Sequence, residues 1–140
     1  MISKSGSAVW QGDLRDGTGA VSTQSGTLSN VDYSFAKRFE GVSGTNPEEL
    51  LAAAHAACFS MALSNILGEH DLTATRIETE ATVNLDPQSL SVASVHLDLT
   101  ATIPGASQEA FQEAADAAKA GCPVSKLFHT EITLEARLTS

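Results

Sequence analysis

Positive charge is scarce in this chain. Eight Lys and Arg stand against seventeen Asp and Glu, for a net charge of −9. An acidic surface repels phosphate backbones and anionic headgroups, which argues against nucleic acid and membrane as partners. Aromatic residues make up only 5%, so a core has to come mainly from Ala, Val, Leu and Ile. No uninterrupted apolar run approaches the ~18 residues of a spanning helix. The first twenty residues stay polar and lack the apolar centre of a secretory leader. The expectation is a cytoplasmic protein without a membrane span. Cysteine occurs only as Cys58 and Cys122. Two cysteines in such a chain read as reduced thiols or a catalytic pair rather than a structural staple. What is present is 140 residues, 42% of them hydrophobic, enough for one domain spanning residues 1–140.

Within that span the sequence divides into an amino-terminal β-meander, about 3–39, and a helix-centred core, about 45–140. Short β-prone pieces, Ala8-Val9-Trp10 and Ala20-Val21-Ser22, alternate with Gly- and Asp-containing turns in the first part. Thr45-Asn46-Pro47-Glu48-Glu49 then opens a helix, with Asn46 as cap, Pro47 at the first position and Glu49 at the capping-box position. The spacing predicts a helix running to Leu67 with Gly68 as a left-handed stop. It is apolar on nearly every side, which predicts burial all round. Ile77, Thr79, Ala81, Val83 and Leu85 alternate with polar residues, as do Val95, Leu97, Leu99, Ala101 and Ile103. These predict an antiparallel pair with one wet face. Ser107 caps a second helix carrying Phe111, Ala114, Ala115 and Ala118 on one face and ending at Gly121. Cys122-Pro123-Val124-Ser125 starts a short turn, and Ile132 to Leu138 alternates as a last strand. The class is α+β with mostly antiparallel sheets.

Each candidate for chemistry has a bland reading beside it. Cys58 alone, in the most apolar helix, reads as a small buried hydrophobe. Cys122 precedes Pro123, so it reads equally as a plain helix-stop loop or as an N-cap whose free N–H groups favour a thiolate. Arg38 alone reads as a solvated strand charge; its functional reading is a guanidinium that favours a thiolate and then a departing oxyanion. Glu48 suits the helix dipole, or holds a guanidinium by a bidentate pair. His55 shares a helix face with Cys58 and reads as a core or interface histidine. A metal set of His55, Cys58, Cys122 and His129 has no supporting ligand spacing.

Taken together, Gly44-Thr45-Asn46-Pro47-Glu48-Glu49-Leu50-Leu51 through His55-Ala56-Ala57-Cys58-Phe59-Ser60, with Lys119-Ala120-Gly121-Cys122-Pro123-Val124-Ser125, strongly resemble the two cysteine motifs of the OsmC/Ohr family. Trp10-Gln11-Gly12-Asp13, Ser25-Gly26 and Arg38-Phe39-Glu40-Gly41 resemble its amino-terminal half, so the resemblance spans the chain. It is closer to the OsmC branch, because Ohr-type sequences tend to carry an aromatic residue where this chain has His55. The resemblance implies the OsmC-like fold as an intertwined homodimer. It implies a thiol peroxidase acting on organic hydroperoxides, with hydrogen peroxide as a poorer substrate, in oxidative or osmotic stress defence. It implies no metal and no organic cofactor, with electrons from an external dithiol, typically a lipoylated protein. Cys58 matches the peroxidatic cysteine, Cys122 the resolving one, Arg38 the catalytic arginine and Glu48 its carboxylate partner.

Two further expectations follow. Phe39, Phe59 and Met61 are expected to build an apolar pocket for alkyl peroxides. Glu48 and Cys58 are ten residues apart on one helix, ~15 Å of rise, too far to serve one straight-helix site together. Antiparallel copies of the helix, crossing near Ala53 and Ala54, are expected to join Glu48 of one chain to Cys58 of another. The competing reading is a metal- or small-molecule-binding protein with inert cysteines.

Overall fold

The computed structural model describes residues 1–140. The element order is β1 (Gly6–Gln11), β2 (Thr18–Thr23), β3 (Val31–Tyr33), α1 (Phe35–Phe39), α2 (Pro47–Glu69), β4 (Arg76–Asp86), β5 (Ser91–Thr102), α3 (Gln108–Gly121), α4 (Pro123–Leu127) and β6 (Glu131–Thr139). The strands form two three-stranded sheets, β1-β2-β3 and β4-β5-β6. The chain separates into two compact units, Met1–Leu50 and Leu51–Ser140.

In the first unit β1, β2 and β3 pair antiparallel, as the meander pattern predicts. Gly19 lies opposite both Trp10 and Tyr33. A Cβ on Gly19 would sit 2.5 Å from the Tyr33 ring and 2.7 Å from the Trp10 ring, so only glycine lets the two aromatics close over the strand. Their ring centroids are 5.6 Å apart. The meander ends earlier than expected, because Phe35–Phe39 is helical. Ser34 caps it, its hydroxyl accepting from the Lys37 N–H at 3.2 Å. Arg38 therefore stands on a helix rather than a strand.

Asn46 starts α2 as expected: its side-chain oxygen accepts from the Glu49 N–H at 2.9 Å and its amide reaches the Glu49 carboxylate at 2.6 Å. The predicted end is wrong. Gly68 stays inside the helix, and the left-handed residue is Asp71, with φ of 57°. The Leu72 N–H closes the end on the Leu67 carbonyl at 2.9 Å. Burial all round is also wrong. His55, Phe59, Leu63 and Leu67, one per helical turn, are buried, while Ala53, Ala54, Ala57 and Met61 are exposed. Composition made every face apolar, but a single chain supplies a partner for only one stripe. By length and composition alone α2 is long and apolar enough to cross a membrane, as the core helix of a globular domain can also be.

The second unit holds the core. Val95, Leu97, Leu99 and Ala101 of β5, with Ile103 just beyond it, are fully buried on one face. Phe59, Leu63 and Leu67 of α2 and Phe111, Ala114, Ala115 and Ala118 of α3 pack there. Ser60 of α2 hydrogen-bonds Thr79 of β4 at 2.8 Å. β4 and β5 pair antiparallel, as predicted, but β5 and β6 run parallel. A parallel return needs a crossover, and α3 with α4 is that crossover. It carries Cys122 across the buried face, where α2 carries Cys58.

Candidate functional site

Cys122 caps α4. Its sulfur accepts the Ser125 N–H at 3.3 Å, and Pro123 fills the first helical position. The N-cap reading of Cys122 therefore holds, but the thiol is fully buried rather than presented to solvent. Cys58, from the middle of α2, is part-buried, and both cysteines are free thiols. The fold brings them together: the Cys122 sulfur lies close enough to act on the Cys58 thiol. The backbone N–H of Val124 also faces Cys58. The start of α4 thus offers one N–H to each sulfur, Val124 to Cys58 and Ser125 to Cys122.

Electrostatics within this unit work against a Cys58 thiolate. Burial is the largest cause that pushes the Cys58 thiol up; the Val124 N–H opposes it, and the Cys122 sulfur adds to the rise. No Lys or Arg is among the groups that shift it.

Arg38 and Glu48 meet in the first unit. The guanidinium grips the carboxylate through Nε, 3.1 and 3.2 Å from its two oxygens, and through Nη2 at 2.8 Å. Glu48 is the more buried partner, 14% exposed against 38% for Arg38. A carboxylate at the first turn of α2 thus fixes the orientation of a half-open guanidinium. Beside it lies an open cavity of ≈ 260 Å³ lined by Trp10, Leu14, Tyr33, Phe35, Arg38 and Phe39, with Ser34. Of five Phe, one Trp and one Tyr in the chain, four line this cavity. The expected pocket is corrected accordingly: Phe39 lines a cavity, but Phe59 is core and Met61 is 76% exposed. The concentration of scarce aromatics around Arg38 was the signal for Trp10, Tyr33 and Phe35.

His55 is a core histidine. It is fully buried, its Nε2 lies 2.7 Å from Ser125 Oγ, and its ring packs edge-on with Phe128 at 5.2 Å. Burial pushes its pKa down, so the ring is neutral. Ser125 Oγ lies 3.1 Å from Cys122 Sγ. Sequence reasoning missed Ser125. Its signal was its place three residues after the cap Cys122, where a cap receives its N–H. The four residues weighed as a metal set do not converge. The groups that do are His96, Asp98 and Glu135, on the outer face of the second sheet, where Arg137 pairs with both carboxylates.

Comparison with known proteins agrees with this architecture. The family model for OsmC-like proteins matches residues 40–137. The chain is 49% identical to peroxiredoxin OsmC of Escherichia coli, over 99% of both chains. It is 30% identical to the organic hydroperoxide resistance protein OhrB of Bacillus subtilis, over 86% of this chain and 88% of that one. The crystal structure of the Bacillus subtilis OhrB superposes with a TM-score of 0.64 at 26% identity, covering 96% of this chain and 98% of that chain.

Proposed function

Because the chain belongs to the OsmC/Ohr family of peroxidases, we propose that Cys58 is the peroxidatic thiol of an organic hydroperoxide reductase and Cys122 its resolving partner. The observation that carries this reading is the pair of neighbouring free thiols, Cys58 of α2 and Cys122 at the start of α4, each facing a backbone N–H of α4. Cys58 thiolate attacks one peroxide oxygen; the S–O bond forms, the O–O bond breaks, and alkoxide leaves and takes a proton to become the alcohol. Cys58 is then a sulfenic acid. Cys122 attacks its sulfur, the S–S bond forms, and the oxygen leaves as water. An external dithiol, of lipoyl type, restores both thiols by exchange and is itself oxidised to a disulfide.

Arg38, held by Glu48, supplies the positive charge that Cys58 lacks within its own unit and that the departing alkoxide needs. The aromatic cavity beside Arg38 takes the alkyl group of the peroxide. The functional unit is a homodimer. The exposed Ala53, Ala54, Ala57 and Met61 of α2 form a stripe of mostly small residues that allows two copies of the helix to approach closely. Crossing antiparallel there, they bring Arg38 and Glu48 of one chain to Cys58 of the other. The protein works in the cytoplasm.

Intact mass spectrometry after one equivalent of cumene hydroperoxide tests the cycle. The wild type should lose two hydrogen atoms, and Cys122→Ser should instead gain one oxygen; an unchanged wild-type mass would refute the reading. Mixing a Glu48→Ala chain with a Cys58→Ser chain tests the sharing. A shared arrangement leaves one of the two sites in each mixed dimer intact, whereas a mixed dimer with no activity rules it out.

A further inference from the structure

The peroxidatic cycle leaves one buried titratable group unused. His55 has no access to solvent, and its Nδ1 has no hydrogen-bond partner. Its other nitrogen contacts Ser125 Oγ at 2.7 Å, and that oxygen contacts Cys122 Sγ at 3.1 Å. His55 of α2, Ser125 of α4 and Cys122, the cap of α4, thus form one chain of contacts that ends on the sulfur assigned to resolve the sulfenic acid. We propose that His55 is a positioning residue for the resolving step: its Nε2–H donates to Ser125 Oγ, which turns the Ser125 hydroxyl proton onto Cys122 Sγ.

Proton counting fixes the direction of that line. A thiolate can only accept, so when Cys122 ionises, the Ser125 hydroxyl must give its proton to sulfur. Ser125 Oγ then has lone pairs left for its second neighbour, and the 2.7 Å contact persists only if His55 Nε2 is the donor. The resting ring points the same way. Burial keeps it neutral, with a single ring proton. Placing that proton on Nδ1 would leave a buried N–H without an acceptor, the rarest kind of orphan in folded proteins. Placing it on Nε2 leaves only a bare lone pair. The edge-on packing with Phe128 opposes the ring flip that would exchange the nitrogens.

The chemical consequence rests on the reading that Cys122 resolves Cys58. Ser125 then donates twice to the same sulfur, through its N–H at 3.3 Å and its hydroxyl at 3.1 Å. Both bonds strengthen as charge builds on sulfur. The Cys122 thiolate attacks the Cys58 sulfenic sulfur, the S–S bond forms and the S–O bond breaks. The oxygen leaves as hydroxide and takes up the proton that Cys122 released, giving water. The oxidising equivalent is the one already delivered by the peroxide.

Single-turnover kinetics with one equivalent of cumene hydroperoxide separates the steps, with dimedone trapping for sulfenic acid and intact mass for disulfide. Ser125→Ala should leave sulfenic acid formation at the wild-type rate and slow disulfide closure about tenfold or more, the worth of one hydrogen bond to a charged group. Sulfenic acid should then persist, and excess peroxide should carry it to sulfinic acid. His55→Phe should slow closure in the same direction, and His55→Gln, which restores a donor, should recover part of it. In the unmodified protein, two-bond proton–nitrogen correlation spectra should show His55 protonated on Nε2. Closure at the wild-type rate in Ser125→Ala, or a proton on Nδ1, would overturn the proposal while the disulfide cycle stands. A wild type that forms no disulfide would overturn the cycle itself, and the proposal with it.

Discussion

The two halves of this chain spend their hydrophobic residues differently. Among the first fifty residues only Gly19 is buried, and every residue of β1 is exposed. Its aromatic side chains stand around an open cavity beside the Arg38–Glu48 pair. In the second unit the apolar face of β5 is sealed by α2 and α3, and Phe59 and Phe111 have no exposed surface. That unit holds the sealed core, whereas the first has an open cavity but almost no interior. The contrast assigns stability to one region and electrostatics to the other. It also gives the thiols a reason to need help: the unit that buries Cys58 pushes its thiol up and offers no cation.

Substitutions can break this division. The largest effect should come from Phe111→Ala, which opens a cavity in the sealed core and should cost about 3–5 kcal/mol of unfolding free energy. Urea denaturation measures it. A loss below about 1 kcal/mol would mean that the second unit is not the stabilising one. Arg38→Met should do the reverse. The peroxide kcat/KM should fall about 10²–10³-fold, as for removal of one group that stabilises a developing oxyanion. Stability should stay within about 0.5 kcal/mol, because a half-exposed ion pair contributes little. Arg38→Lys keeps the charge but loses the fork that grips Glu48, so it should recover only part of the rate. An Arg38→Met protein that turns over normally would separate the cavity from the chemistry.

Where one short signal sufficed, the sequence was readable. Asn46-Pro47 and Ser107 start their helices as expected, and the alternation of Val95, Leu97, Leu99 and Ala101 marks the buried face of β5. Cys122-Pro123 announced its cap. The misses have physical causes. Period-two alternation is identical in parallel and antiparallel neighbours, so the parallel β5–β6 return was invisible. A five-residue helix is too short to show periodicity, so α1 passed for strand. Gly68 looked like the end of α2, but the turn to left-handed backbone falls at Asp71, which the hydrophobic pattern does not mark. The apolar composition of α2 could not say which stripe would find a partner. The cysteine motifs carried the thiols, because family resemblance reads positions together. The contact of Ser125 with His55 joins residues far apart in sequence, and nothing local to either foretells it.

His55 gives the comparison its finest test, because it places a pH dependence in the sealed unit. Burial lowers its pKa in the folded chain, whereas the unfolded chain has the ordinary value of about 6.5. Above that value neither state is protonated, and the stabilisation from a neutral, buried ring is fully present. As pH falls below about 6.5 the unfolded chain takes up a proton that the folded chain refuses, so stability drops. One proton limits the slope to at most about 1.4 kcal/mol per pH unit, and it falls away below the folded value. Urea denaturation of the wild type and His55→Phe at matched pH values between 7.5 and 5.5, values chosen to bracket the ordinary histidine range, isolates this proton. Every other ionisable group is common to both proteins and drops out of the difference. The wild type should lose more stability than the variant across that interval. Equal losses would mean that the folded chain admits a proton at His55. The imidazole would then be charged, both of its nitrogens would be donors, and the buried Nδ1 would need an acceptor that the fold does not provide.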